Sequence, residues 1–130
     1  VKKELLTTRI RIAQVNVPFH FSFNAKRLSR ALLDKYETAW YPAAEHMGEC
    51  IDSVTMEAKK NFVAVWVNRG AHKNDIDILQ TINHEIEHAS RKVMGVYGEE
   101  HQGAEETTIR VSDDLRDKVY KFLKVVVMLG

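Results

Sequence analysis

Apolar and polar positions recur with two different periods along this chain, and the switches between them divide it into elements. From Thr8 to Val17 the period is two, with Ile10, Ile12, Val15 and Val17 as the apolar set, which predicts a strand with a bulge near Ala13 that ends at Pro18. Phe19, Phe21 and Phe23 continue the alternation. Asn24 then offers a side-chain acceptor for a helix N-terminus, and Leu28, Ala31, Leu32 and Lys35 carry a helical stripe into segment 36–41, where Pro42 interrupts. Segment 40–49 is aromatic, Ala-rich and broken by Gly48, a pattern that fits a loop or a short second helix.

β-branched and apolar residues return at 50–57 and 62–67 around Ala58-Lys59-Lys60-Asn61, predicting a hairpin. Its second strand, Phe62-Val63-Ala64-Val65-Trp66-Val67, is apolar on both faces, so both are buried or one is kept for a partner. Asn74 or Asp75 caps a helix running to about Met94, with Gly95 as its stop, and a Gly- and Glu-rich loop leads to Gly103. The last helix runs from about Ala104 through Leu123 into Val125, Val126 and Val127. Strand, helix, hairpin, helix, loop and helix make an α+β plan: a small, mostly antiparallel sheet packed on helices, in one domain over residues 1–130.

Charge adds an exclusion. Nineteen Lys and Arg against eighteen Asp and Glu leave a net charge of +1, with no field to gather nucleic acid or an anionic membrane surface. No run approaches the eighteen apolar residues of a membrane span, and no signal core follows Val1-Lys2-Lys3-Glu4. The lone Cys50 cannot form an internal disulfide, which is compatible with the cytoplasm.

Chemistry concentrates at His84-Glu85-Ile86-Glu87-His88, an H-E-x-x-H sequence late in an amphipathic helical stretch. Residues four apart share a helix face, so His84 and His88 can aim two imidazoles at one ion, while Glu85 can take a proton from a water held there. In helical projection Ile76, Leu79, Ile82, Ile86 and Val93 form the apolar stripe, and both His fall on the opposite side with Asp77, Gln80 and Thr81. A catalytic zinc site needs a third protein ligand. Glu99, Glu100, His101, Glu105 and Glu106 all follow closely. Projected along the last helix, whose stripe is read as Ile109, Leu115, Val119, Phe122, Leu123 and Val126, Glu105 faces inward and Glu106 outward, which favours Glu105. His20, His46 and His72 have no spaced partner, Cys50 reads as a small buried residue, and Trp40 and Tyr41 read as core or cleft wall.

His84-Glu85-Ile86-Glu87-His88 followed by a Glu on the next helix resembles the zincin metallopeptidases, in a short gluzincin-like form like the small H-E-x-x-H proteins of phage and bacterial genomes. The resemblance covers residues 62 to about 123. Arg91 and Met94 stand where the metzincin branch requires Gly and His. Glu105-Glu106-Thr107-Thr108 keeps only partly the small residues that follow the ligand Glu, leaving either Glu open, and His101-Gln102-Gly103 resembles the His-Gly of the SprT-like proteases, making His101 a second choice. The resemblance implies a twisted sheet whose edge strand, Phe62–Val67 or its hairpin partner, lies along a cleft beside the motif helix and pairs with extended substrate. It implies Zn²⁺ held by His84, His88 and Glu105, Glu85 as general base, and a peptide or protein substrate. If Glu105 binds the metal, His101 or Tyr97 is a candidate donor to the oxyanion. The alternative is a non-catalytic zincin-like domain that uses its metal or groove for structure or protein binding.

Overall fold

In the computed structural model, which describes residues 4–12, 15–43, 45–53, 61–97 and 104–124, the chain folds as the expected α+β domain. Its elements are β1 (Leu6–Ile12), β2 (Val15–Ser22), α1 (Ala25–Tyr36), β3 (Gly48–Ser53), β4 (Phe62–Val67), a single 3₁₀ turn (Arg69–Ala71), α2 (Asp75–Tyr97) and α3 (Ala104–Leu123). The sheet order is β1-β2-β4-β3. β1/β2 and β3/β4 are antiparallel, and β2/β4 is parallel, with Phe19 opposite Val63 and Ser22 opposite Trp66.

The strand expected over Thr8 to Val17 is in fact two, with Ile12 opposite Val15 across the β1/β2 pair. The apolar alternation runs through both, and Ala13-Gln14 contains none of the residues that mark a reversal. Pro18 sits inside β2 opposite Arg9 and ends nothing. It lies beyond the β2 residues that pair with β4, so its missing N–H removes no bond from that side.

β4 explains its own apolar run. Val63, Val65 and Val67 join Val17, Phe19 and Phe21 against α2 and α3, while Phe62, Ala64 and Trp66 face Leu28 and Leu32 of α1. Helices on both faces bury every β4 residue, the first of the two expected possibilities. The strand next to α2 at the sheet edge is therefore β3, the hairpin partner. Its face alternates too: Gly48 and Cys50 lie toward α2, and Glu49 and Ile51 toward the α1 side.

The helix caps are the expected ones. Asn24 Oδ1 accepts from Arg27 N at 3.0 Å, and Asn74 Oδ1 from Asp77 N at 3.0 Å. Gly95 does not stop α2, which continues to Tyr97. A Gly costs a helix interior only ~1 kcal/mol relative to Ala, less than the burial of Val93 and Met94 beside it returns. α3 packs along α2 through a buried contact in which Ser112 Oγ donates to Ser90 Oγ at 2.8 Å, and through Tyr120 Oη donating to Asn83 Oδ1 at 2.7 Å. Residues 125–127, expected in the last helix, lie outside the described residues. Among the described residues no helix is long and apolar enough to cross a membrane.

His20 is the principal buried polar group of the sheet, 1% exposed on the α1 side. Its Nδ1 meets Thr7 Oγ1 at 3.1 Å and its Nε2 meets Tyr36 Oη at 2.6 Å, so one ring ties β1, β2 and α1 together. A neutral imidazole satisfies both contacts, donating at one nitrogen and accepting at the other. Burial, with Lys35 adding, lowers the His20 pKa to about 4, and burial raises that of Tyr36 against the opposing charge of Arg9. A lone His between phenylalanines gives no hint of this partner, which sits sixteen residues on at the far end of the next helix.

Candidate metal centre

α2 places the motif through its phase. The buried stripe is Ile78, Ile82, Ile86, Ala89 and Val93, while Ile76 and Leu79, expected in it, are 67% and 38% exposed. At ~100° per residue Glu85 lies ~60° from the centre of that stripe, His88 ~60° further round, and His84 beyond it. This one rotation makes Glu85 buried, 7% exposed, and leaves both His at the surface.

The imidazoles meet edge to face with Nε2 atoms 3.0 Å apart, and His84 Nε2 lies 4.0 Å from Glu85 Oε1. One donor atom from each of His84, Glu85 and His88 falls within 4.8 Å of the others. Two nitrogens ~2.0–2.1 Å from one tetrahedral zinc stand ~3.3 Å apart, so the observed spacing needs little adjustment to fit that ion. Two imidazole nitrogens and an adjacent carboxylate suit a borderline cation such as zinc.

Glu85 is held under β3. Gly48 passes so close that a Cβ there would stand 3.4 Å from Glu85 Cγ and 3.0 Å from both Thr81 Cγ2 and the Trp66 carbonyl oxygen. A Cβ there would crowd both the helix and the sheet, which glycine avoids. Gly48→Ala should therefore cost roughly 1–3 kcal/mol, since the Trp66 carbonyl belongs to the sheet ladder and cannot swing away. A urea midpoint unchanged from wild type would refute the close approach.

Thr81 is fixed in turn by His72, whose Nδ1 donates to the Asn68 carbonyl at 2.6 Å, leaving Nε2 to accept from Thr81 Oγ1 at 2.7 Å. Burial pushes the Glu85 carboxyl above the usual carboxylate range, with His88 and His84 opposing and Glu49 adding to the shift. Cys50, in the same wall, has its thiol pushed up to about 12 by burial and then by Glu85 and Asp52. It stays protonated, as expected of a small packed residue rather than a nucleophile.

A groove of about 590 Å³ runs between β3 and α2, lined by residues 45–50, Glu85, His88 and Lys92. Lys92 is tied to Asp52 at 3.0 Å. The groove is open to solvent and follows β3, the sheet edge next to α2.

Glu105 is not where the projection puts it. It is exposed, like Glu106, and lines a separate cavity in the α2–α3 seam with Glu87, Arg91 and Arg116. Ile109, four residues on and so on the same face, is itself 51% exposed; the buried apolar residues of α3 are Val111, Leu115, Val119, Phe122 and Leu123. Glu105 is outside the three-residue cluster. Glu99, Glu100, His101 and the Tyr97 side chain lie outside the described residues.

Sequence reasoning missed the strand wall. His46 Nδ1 lies 2.5 Å from Glu49 Oε1, and Trp40 Nε1 donates to Glu49 Oε2 at 2.8 Å. The signal available was only a His and a Glu three apart beside an aromatic residue. Trp40 is buried against Trp66, whereas Tyr41 is exposed.

No family model matches the chain, and no curated protein or solved structure does. The site's own geometry therefore carries the functional reading.

Proposed function

We propose that the chain is a zinc-dependent hydrolase, most simply a peptidase, working in the groove between β3 and α2. The observation that carries this reading is the convergence of two exposed imidazole nitrogens, 3.0 Å apart, beside a buried carboxylate that opens onto a groove. His84 and His88 hold the ion. Zinc bound there supplies Lewis-acid polarisation of a carbonyl and a water of lowered pKa. Glu85 would take up a proton at its carboxylate and return it to the leaving amine. Burial suits the carboxylate to this duty, because it raises its affinity for the proton it must briefly hold. β3, paired on one side only, offers an unfilled edge along which an extended chain can lie.

Elemental analysis and zinc titration test the ligand pair. Wild type should bind one zinc per chain, and His84→Ala and His88→Ala should each lose it, whereas Glu105→Ala should keep it, since Glu105 stands in a different cavity. Stoichiometric zinc in both His variants would sink the reading.

The rival, a zincin-like domain without catalysis, draws support from a cluster that offers only two imidazoles beside Glu85 among the described residues. It predicts that Glu85→Gln changes nothing but local packing.

A further inference from the structure

The strand wall of the groove carries a polar assembly that the chemistry above does not use. Ser29 Oγ of α1 donates to the Trp40 carbonyl at 2.8 Å, and the indole, packed edge-on against Trp66, donates to Glu49. The other oxygen of Glu49 accepts from His46 Nδ1. The main chain is fastened as well: Asn68 Nδ2 donates to the His46 carbonyl at 3.2 Å and Asn68 N to the Met47 carbonyl at 2.8 Å. Burial pushes the Glu49 carboxyl up, but the hydrogen bonds from Trp40 and His46 outweigh it and hold the group below its ordinary range, so Glu49 is a carboxylate that accepts at both oxygens.

The effect is to fix one ring. Outside α2, His20 and His72 have both ring nitrogens engaged. His46 has Nδ1 engaged and Nε2 without a partner among the described residues, on a side chain that is half exposed. Ordering a half-exposed side chain costs conformational entropy. Three linked residues meet that cost here, at the mouth of a groove whose far wall holds Glu85 and His88. Such support is what a contact residue needs to present one atom in one direction. With Nδ1–H donating to Glu49, Nε2 is the ring atom left for a ligand, and in that tautomer its lone pair is complementary to a main-chain N–H of an extended chain.

Taking the groove to be a peptide site, we propose that His46 is a substrate-positioning residue, its Nε2 accepting a main-chain N–H of a peptide laid between β3 and α2. Glu49 and Trp40 act through it. His46 lies outside the three-residue cluster, so it orients substrate without touching the ion.

The test uses the zinc-loaded full chain carrying Glu85→Gln, titrated into a fluorescein-labelled pool of carboxymethylated casein peptides and followed by anisotropy. Adding His46→Ala should weaken binding about tenfold, the value of one hydrogen bond, with one zinc per chain retained. Glu49→Gln and Trp40→Phe should each weaken it several-fold. Trp40→Phe keeps an aromatic ring against Trp66 and loses the N–H, which separates positioning from packing. A His46→Ala protein that binds the pool as tightly as its parent overturns the assignment, and so does a parent that binds none of it. Cleavage of the same pool by wild type is scored in parallel: cleavage with no effect of His46→Ala refutes His46 alone, and no cleavage refutes the peptidase reading.

Discussion

Glu85→Gln should lower kcat for peptide hydrolysis by roughly 10²–10⁴-fold, the usual contribution of a positioned general base, while zinc stays bound. Gln is nearly isosteric with Glu, so the space under Gly48 stays filled and the imidazole pair keeps its geometry. What disappears is the capacity to take a proton. KM should change little, because Gln keeps the size and shape of the Glu85 side chain in the groove wall. The pair of measurements is steady-state cleavage of a casein peptide pool and zinc content by elemental analysis. Activity within threefold of wild type would remove Glu85 from the mechanism, and loss of zinc along with activity would recast it as a ligand.

The second large effect is on stability in acid and comes from the opposite side of the sheet. His20 is buried neutral with its pKa lowered to about 4, from 6.5 when unfolded. Burial is the main cause and Lys35 adds to it. Above pH 6.5 neither state binds this proton, and the group contributes no slope. Between pH 6.5 and about 4 the unfolded chain takes the proton and the folded one does not, so stability falls by ~1.4 kcal/mol per pH unit. The loss on going to pH 4 is about 3 kcal/mol, or roughly 10 °C in Tm for a domain of this size. Below pH 4 the slope vanishes again. His20→Gln, which can still bridge Thr7 and Tyr36, should flatten the profile in thermal melts from pH 7 to 4. Parallel profiles for the two proteins would show that His20 is not the titrating group.

Both predictions rest on side chains whose letters are plain in the sequence, yet only one environment was legible there. Glu85 was readable because its neighbours in space are mostly its neighbours in sequence: a helix turn joins it to His84 and His88, and phase alone keeps those two off the core. The caps at Asn24 and Asn74 are readable for the same reason, each being set by residues within a few positions, whereas the apolar run of β4 leaves two possibilities that only α1 on one face and α2 and α3 on the other decide. Where a residue's fate depends on another element, the reading failed. His20 needs Tyr36, His46 needs Trp40, and the cover that completes the burial of Glu85 comes from a glycine on β3. The projection of Glu105 failed more instructively. It treats Ile109 as core because it is apolar, although an exposed Ile carries little penalty, and it leaves out the buried Val111; together the two swing the inferred stripe toward Glu105.

The parallel pairing of β2 with β4 has a consequence for the order in which the site forms. His84, Glu85 and His88 sit within two turns of one helix, so the imidazole pair is complete as soon as α2 winds, an event of about a microsecond. The burial of Glu85 is not local. It requires β3, which reaches the sheet only through β4, and β4 joins β2 across the whole span of α1 and the β3/β4 hairpin. Closing that loop is the slow, entropically costly step. A nascent chain therefore owns its pair of imidazoles before it owns a groove, and the burial that pushes the Glu85 carboxyl up arrives last.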